Sequence, residues 1–156
     1  MGELKIIKGD ILKSNENYIL HQVNARGVMG AGIAKEIRKD ISDKDFYLYR
    51  NYVLNNNDAL GNYLLINSIN FSNRKYINII AQNDIGRDKK CYTNYEALES
   101  CFKKIVEKEN NNVQIKTLAI PYGMSCGLAG GNWNIVLEMI KNILLPIFNI
   151  NIYKLE

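Results

Sequence analysis

Two glycine-punctuated loops, GVMGAGIA from Gly27 to Ala34 and GMSCGLAGG from Gly123 to Gly131, each lie between an apolar strand-like run and a helix-like run. That layout suits phosphate. Glycine removes the Cβ that would keep a ligand off the backbone, and a helix beginning just beyond the loop aims unpaired N–H groups and a partial positive charge at the same place. Two such loops predict a diphosphate held from both sides, with Gly30, Ala31, Gly32 and Ile33 on one and Ser125, Cys126, Gly127, Leu128, Ala129 and Gly130 on the other.

His21 is the only histidine and stands three residues before Asn24, at the end of an apolar run. As a neutral base it could activate a water for attack on a phosphate, or as an acid protonate the leaving oxygen. A buried structural histidine is the other reading. Asp84, two residues beyond Gln82, is either a general base or a turn residue, and Arg87 or Lys89 could approach a phosphate. Tyr122 and Tyr153 stand where strand ends could present a ring to a ligand.

The spacing of Gly27, Gly30 and Gly32 is GxxGxG, which does not fit the GxGxxG dinucleotide fingerprint, and neither loop carries the GK[ST] of a P-loop. The three cysteines, Cys91, Cys101 and Cys126, lack CxxC spacing and suggest neither a disulfide framework nor zinc. Cys101 falls in a helical apolar stripe, and Cys126 reads as a small packed residue because no neighbour is available to activate a thiolate. No metal or cofactor is expected. The net charge of +4 is scattered rather than clustered, which favours a small anionic ligand over a nucleic-acid duplex. No apolar run approaches the roughly 20 residues of a membrane helix, and MGELKIIKGD lacks signal-peptide organisation, so a cytoplasmic monomer is expected.

The elements that must position these residues follow from the apolar pattern. Strands are predicted at Leu4–Ile7, Tyr18–Val23, Asn62–Ile66, Lys75–Ala81, from Lys116 to Pro121, and at Phe148–Tyr153, the third and fourth forming an antiparallel pair. Helices are predicted at Ala31–Arg38, at about Asp43–Leu54, after a capping box of Thr93 and Glu96, and after Asn132, with Pro146 separating the last helix from the last strand. At 156 residues with 47% hydrophobic content, the chain is long enough for one well-buried core and short for two. Strands alternating with helices predict an α/β fold, a three-layer α/β/α sandwich around a mixed central sheet, with ligands beyond the carboxyl ends of the central strands.

KGDIL at Lys8–Leu12, HQVNARGVMGAGIA at His21–Ala34 and IPYGMSCGLAGGNW at Ile120–Trp133 resemble a macrodomain over nearly the whole chain. More narrowly, they resemble the branch that processes ADP-ribose 1''-phosphate and the related terminal ADP-ribose glutamate hydrolases. The resemblance implies a single macrodomain over residues 1–156 that binds ADP-ribose or ADP-ribose 1''-phosphate and hydrolyses the latter to ADP-ribose and phosphate. It implies that Gly9 lies at the ligand, that Asp10 accepts a hydrogen bond from the adenine amino group, that Ile11 lines the adenine pocket, and that Asn24 faces the distal ribose, as a catalytic residue with His21 and Asp84. Turn-capping is the other reading of Asp10 and Asn24. The glutamate hydrolases use a lysine before the capped helix and an aspartate just after the GCGL of the second loop; here those positions are Gln82 and Ala129, which have no amine and no carboxylate. A non-catalytic reader, or a hydrolase of ADP-ribosylated protein or nucleic acid acting through other residues, are the rival readings.

Overall fold

The computed structural model describes residues 2–88 and 90–155, so Lys89 lies outside the described residues. Six strands form one sheet: β1 (Leu4–Lys8), β2 (Tyr18–Asn24), β3 (Tyr63–Asn67), β4 (Lys75–Gln82), β5 (Thr117–Pro121) and β6 (Asn149–Lys154). Their order is β1-β6-β5-β2-β4-β3, and every neighbouring pair is parallel except β3 with β4, the antiparallel pair that the pattern predicts.

Strand alternation divides the apolar residues between two faces. Ile19 and Val23 of β2, with Tyr76 and Ile80 of β4, join Ile37 of α1 (Gly32–Arg38) and Tyr49 and Val53 of α2 (Asp43–Asn55). Leu20 of β2, with Ile77, Ile79 and Ala81 of β4, packs instead against Leu98, Phe102 and Ile105 of α3 (Tyr95–Glu109) and Val136 of α4 (Trp133–Met139). Helix α4 runs on into a π-helical turn, Ile140–Leu144, which supplies two further buried residues, Ile140 and Leu144. These are the two helical layers and the mixed sheet of an α/β/α sandwich. Among the described residues, no helix is long and apolar enough to cross a membrane.

One predicted cap is misplaced by a residue. Helix α3 starts at Tyr95, and its N-cap is Asn94, whose Oδ1 accepts from the Ala97 N–H at 3.0 Å. The Thr93 hydroxyl is turned to the cavity floor instead, donating to the Ser125 carbonyl at 2.8 Å and accepting from Gln22 Nε2 at 3.0 Å. The predicted cap of α4 is the observed one, with the Asn132 side chain accepting from the Asn134 N–H at 2.9 Å.

Candidate functional site

The carboxyl ends of β2, β4 and β5 open into a cavity of about 600 Å³. It gathers Asn24, Gly30, Ala31, Gly32, Ile33 and Gln82 from one side, and Tyr122, Ser125, Cys126, Gly127, Leu128 and Ala129 from the other. Among the described residues that line it, Arg87 alone carries a formal charge. A lone cation in an otherwise neutral cavity suits an anion.

The first loop is held from below and from α2. Asn24 Oδ1 accepts from the N–H groups of Arg26 at 3.1 Å and Val28 at 3.3 Å, while its Nδ2 donates to the Val28 carbonyl at 2.9 Å. Arg50 of α2 donates to the Gly27 carbonyl at 3.1 Å. Asn24 therefore closes the turn while also lining the cavity.

Ser125 gives the second loop its shape. Its φ of +73° is the one left-handed non-glycine conformation among the described residues, a geometry costing an L-residue about 1–2 kcal/mol. Its carbonyl takes the Gly131 N–H at 2.8 Å as well as the Thr93 hydroxyl. Beyond it, the N–H groups of Gly127, Leu128 and Ala129 have no backbone acceptor among the described residues, so they remain available to a ligand.

The glycines separate into two kinds. Gly27, Gly32, Gly123 and Gly130 have φ between +56° and +76°, where an L-residue is strained. Gly30 and Gly127, one in each loop, have ordinary φ and no neighbour within 4 Å of where a Cβ would stand. The backbone does not require glycine at these two positions.

Beside this cavity, at the ends of β1 and β6, a shallower depression of about 550 Å³ is lined by Gly9, Asp10, Lys13, Ser14, Asn15, Glu16 and Tyr153. The two adjoin at Tyr122, whose N–H donates to the Tyr153 carbonyl at 2.8 Å and whose ring lies 4.5 Å from the Lys154 ammonium. Asp10 Oδ1 caps the short turn Ile11–Lys13 through the Leu12 N–H at 3.0 Å. Ile11 is 5% exposed and packs in the core with Ile19 and Val23. The segment carrying these residues is fastened by Arg74, which the sequence reading did not single out. Its buried guanidinium donates to the carbonyls of Leu12 at 3.1 Å, Ser14 at 2.6 Å and Glu16 at 3.0 Å, and lies 3.8 Å from the Phe71 ring centroid.

Besides the core residue Ile11, three expected site residues line neither this cavity nor the depression beside it. His21 is fully buried, its Nε2 2.5 Å from Asn78 Oδ1, and burial pushes its imidazole down to about 4. A strand rises about 3.3 Å per residue, so a side chain three positions before the end of β2 lies roughly 10 Å beneath the rim. His21 therefore stands beneath the lining of the cavity rather than in it. Asp84 stands outside the lining with a side chain 59% exposed, 3.8 Å from Arg26, and caps the Ile85 N–H at 2.8 Å. Gly130 turns away, toward the Lys90 carbonyl. Gln22 does line the cavity and was missed; the available signal was a polar residue within an otherwise apolar strand.

A family model described as Macro domain matches residues 20–140, most of the chain. The chain belongs to the Macro domain family. A Thermosipho africanus (strain H17ap60334) protein described as a DNA ADP-ribosyl transferase–DNA ADP-ribosyl glycohydrolase fusion is 26% identical over 165 residues; the match covers 92% of this chain and 42% of that relative's length. The macrodomain also resembles a Bacteroides thetaiotaomicron crystal structure, with a TM-score of 0.79, 25% identity, and 97% and 99% of the two chains covered. Thermosipho africanus DarTG in complex with ADP-ribose gives a TM-score of 0.75 at 22% identity over 98% of this chain and 42% of that one, a likeness that carries the fold.

Within this macrodomain, Gln82 and Ala129 both line the cavity, and among the described residues no lysine or carboxylate does. Gln82 is itself engaged, donating to the Asp84 carbonyl at 2.8 Å. Burial, with the nearby Cys91, pushes the Cys126 thiol up to about 11, which disfavours the thiolate.

Proposed function

We propose that this macrodomain, acting as a monomer, binds ADP-ribose or ADP-ribose 1''-phosphate, with the diphosphate between the two glycine loops, the adenine toward Asp10 and the distal ribose toward Asn24. The observation that carries the reading is the room left at Gly30 and Gly127, which no strain in the backbone demands and which a ligand lying against the loops would fill. The free N–H groups of the second loop and Arg87 supply the attraction.

The cavity favours holding this ligand over cleaving it. Loop N–H groups can stabilise a departing phosphate, but among the described residues neither a carboxylate nor an imidazole lines the cavity to activate water. Binding as a reader or sequestering protein is therefore the preferred activity. In a phosphate-release assay with ADP-ribose 1''-phosphate, we expect no turnover; turnover by the wild type would restore the phosphatase reading. A second reading, removal of ADP-ribose from DNA, is favoured by the likeness to the Thermosipho africanus fusion protein. Release of ADP-ribose from a modified oligonucleotide would establish it.

The binding reading is tested by Gly30→Val and Gly127→Val. Each variant is expected to keep the wild-type melting temperature, because its side chain enters open space, and to weaken ADP-ribose binding at least about tenfold in isothermal titration. Wild-type affinity in both variants would remove the loops from the site.

A further inference from the structure

Ser125 needs something to hold its left-handed backbone, and the bonds around it form one continuous chain across the cavity floor. Its Oγ is 2.5 Å from Gln22 Oε1. Gln22 Nε2 reaches Thr93 Oγ1 at 3.0 Å and Gln82 Oε1 at 3.2 Å. Gln82 Nε2 reaches the Asp84 carbonyl at 2.8 Å. The second loop, β2, the start of α3 and the segment after β4 are thereby linked through one amide.

The polarity of this chain is fixed at both ends. A carbonyl only accepts, so Gln82 must turn its NH2 to Asp84 and its oxygen to Gln22. Gln22 must then present its NH2 to Gln82, which leaves its oxygen for Ser125. Thr93 is constrained in the same sense, because its proton goes to the Ser125 carbonyl and its oxygen accepts from Gln22. The Ser125 hydroxyl proton is thus committed to Gln22 and is not offered to the cavity. Both amide hydrogens of Gln22 are used, and so is its oxygen.

We propose that Gln22 is a positioning residue: it holds Ser125 in the left-handed conformation and so keeps the N–H groups of Gly127 and Leu128 in place to receive the ligand's phosphates. Its bearing on affinity rests on the ADP-ribose reading above; its bearing on the loop does not. Gln22 acts through Ser125, so glycine at that position, which adopts a positive φ without strain, removes the need for Gln22's acceptor.

The test compares wild type, Gln22→Leu, Ser125→Gly and the double variant, using isothermal titration with ADP-ribose and hydrogen exchange of the loop amides that are bonded, Cys126 to the Gly123 carbonyl, Gly130 to Gly127 and Gly131 to Ser125. Gln22→Leu is expected to speed exchange of the loop amides by at least about tenfold, with a comparable loss of ADP-ribose affinity, while exchange in β2 and β4 stays at the wild-type rate. The double variant is expected to recover slow exchange and affinity. Gln22→Ala replaces Gln22→Leu if the latter fails to fold. Unchanged exchange in the Gln22 variant, or no recovery in the double variant, would overturn the proposal. If the wild type does not bind ADP-ribose, the ligand reading falls, and the exchange comparison still decides the role of Gln22.

Discussion

His21 and Asn78 sit opposite one another on β2 and β4, and among the described residues His21 Nδ1 and Asn78 Nδ2 have no hydrogen-bond partner. The folded protein disfavours the imidazolium, because burial lowers the pKa from 6.5 to about 4. The unfolded chain takes up the proton first as pH falls, so the contribution is fully present above pH 6.5 and is lost toward pH 4. At one unit per 1.36 kcal/mol, the loss amounts to about 3 kcal/mol. Urea unfolding of wild type and His21→Leu between pH 7.5 and pH 4 should show the wild type losing about that much more stability than the variant. Parallel pH profiles would mean that His21 takes up its proton as readily in the folded protein as in the unfolded chain.

At the level of elements, the cap of α3 and the anchor of the second loop are adjacent residues with separate duties. Asn94→Ala is expected to cost about 1 kcal/mol in denaturant unfolding and to leave ADP-ribose affinity unaltered. Thr93→Val removes the bond to Ser125 and is expected to weaken ADP-ribose binding; the opposite assignment of effects would return the cap to Thr93. The sequence could not separate these two, since both residues are good cap formers and the choice is made by a contact 32 residues away. The strands, the antiparallel β3–β4 pair and most of α2 were legible because apolar periodicity is local. The place of the two glycine loops at the carboxyl edge of the sheet was legible for the same reason. The depth of His21, the role of Gln22 and the reach of Arg74 into the segment 12–16 were not, because each depends on which neighbours the sheet brings together.

At the scale of the whole molecule, two apolar layers grip the sheet from opposite faces and leave its carboxyl edge to the loops. A ligand that binds only the folded state must therefore stabilise the entire domain. ADP-ribose at 100 times its Kd is expected to add about 2.7 kcal/mol, which for a domain of this size is a melting shift of roughly 5–10 °C. Thermal unfolding with and without ADP-ribose measures it, and a shift as large in Gly127→Val would place the ligand elsewhere. The two ends of the site also answer differently to acid. The sheet beneath the loops contains an imidazole that resists protonation, whereas Arg74 grips the segment bearing Asp10 through three carbonyl oxygens. A guanidinium keeps its charge at all relevant pH, and a carbonyl has no proton to gain or lose there. This fastening has no titrating partner, so acid that loosens the fold at His21 leaves the three Arg74 bonds in place.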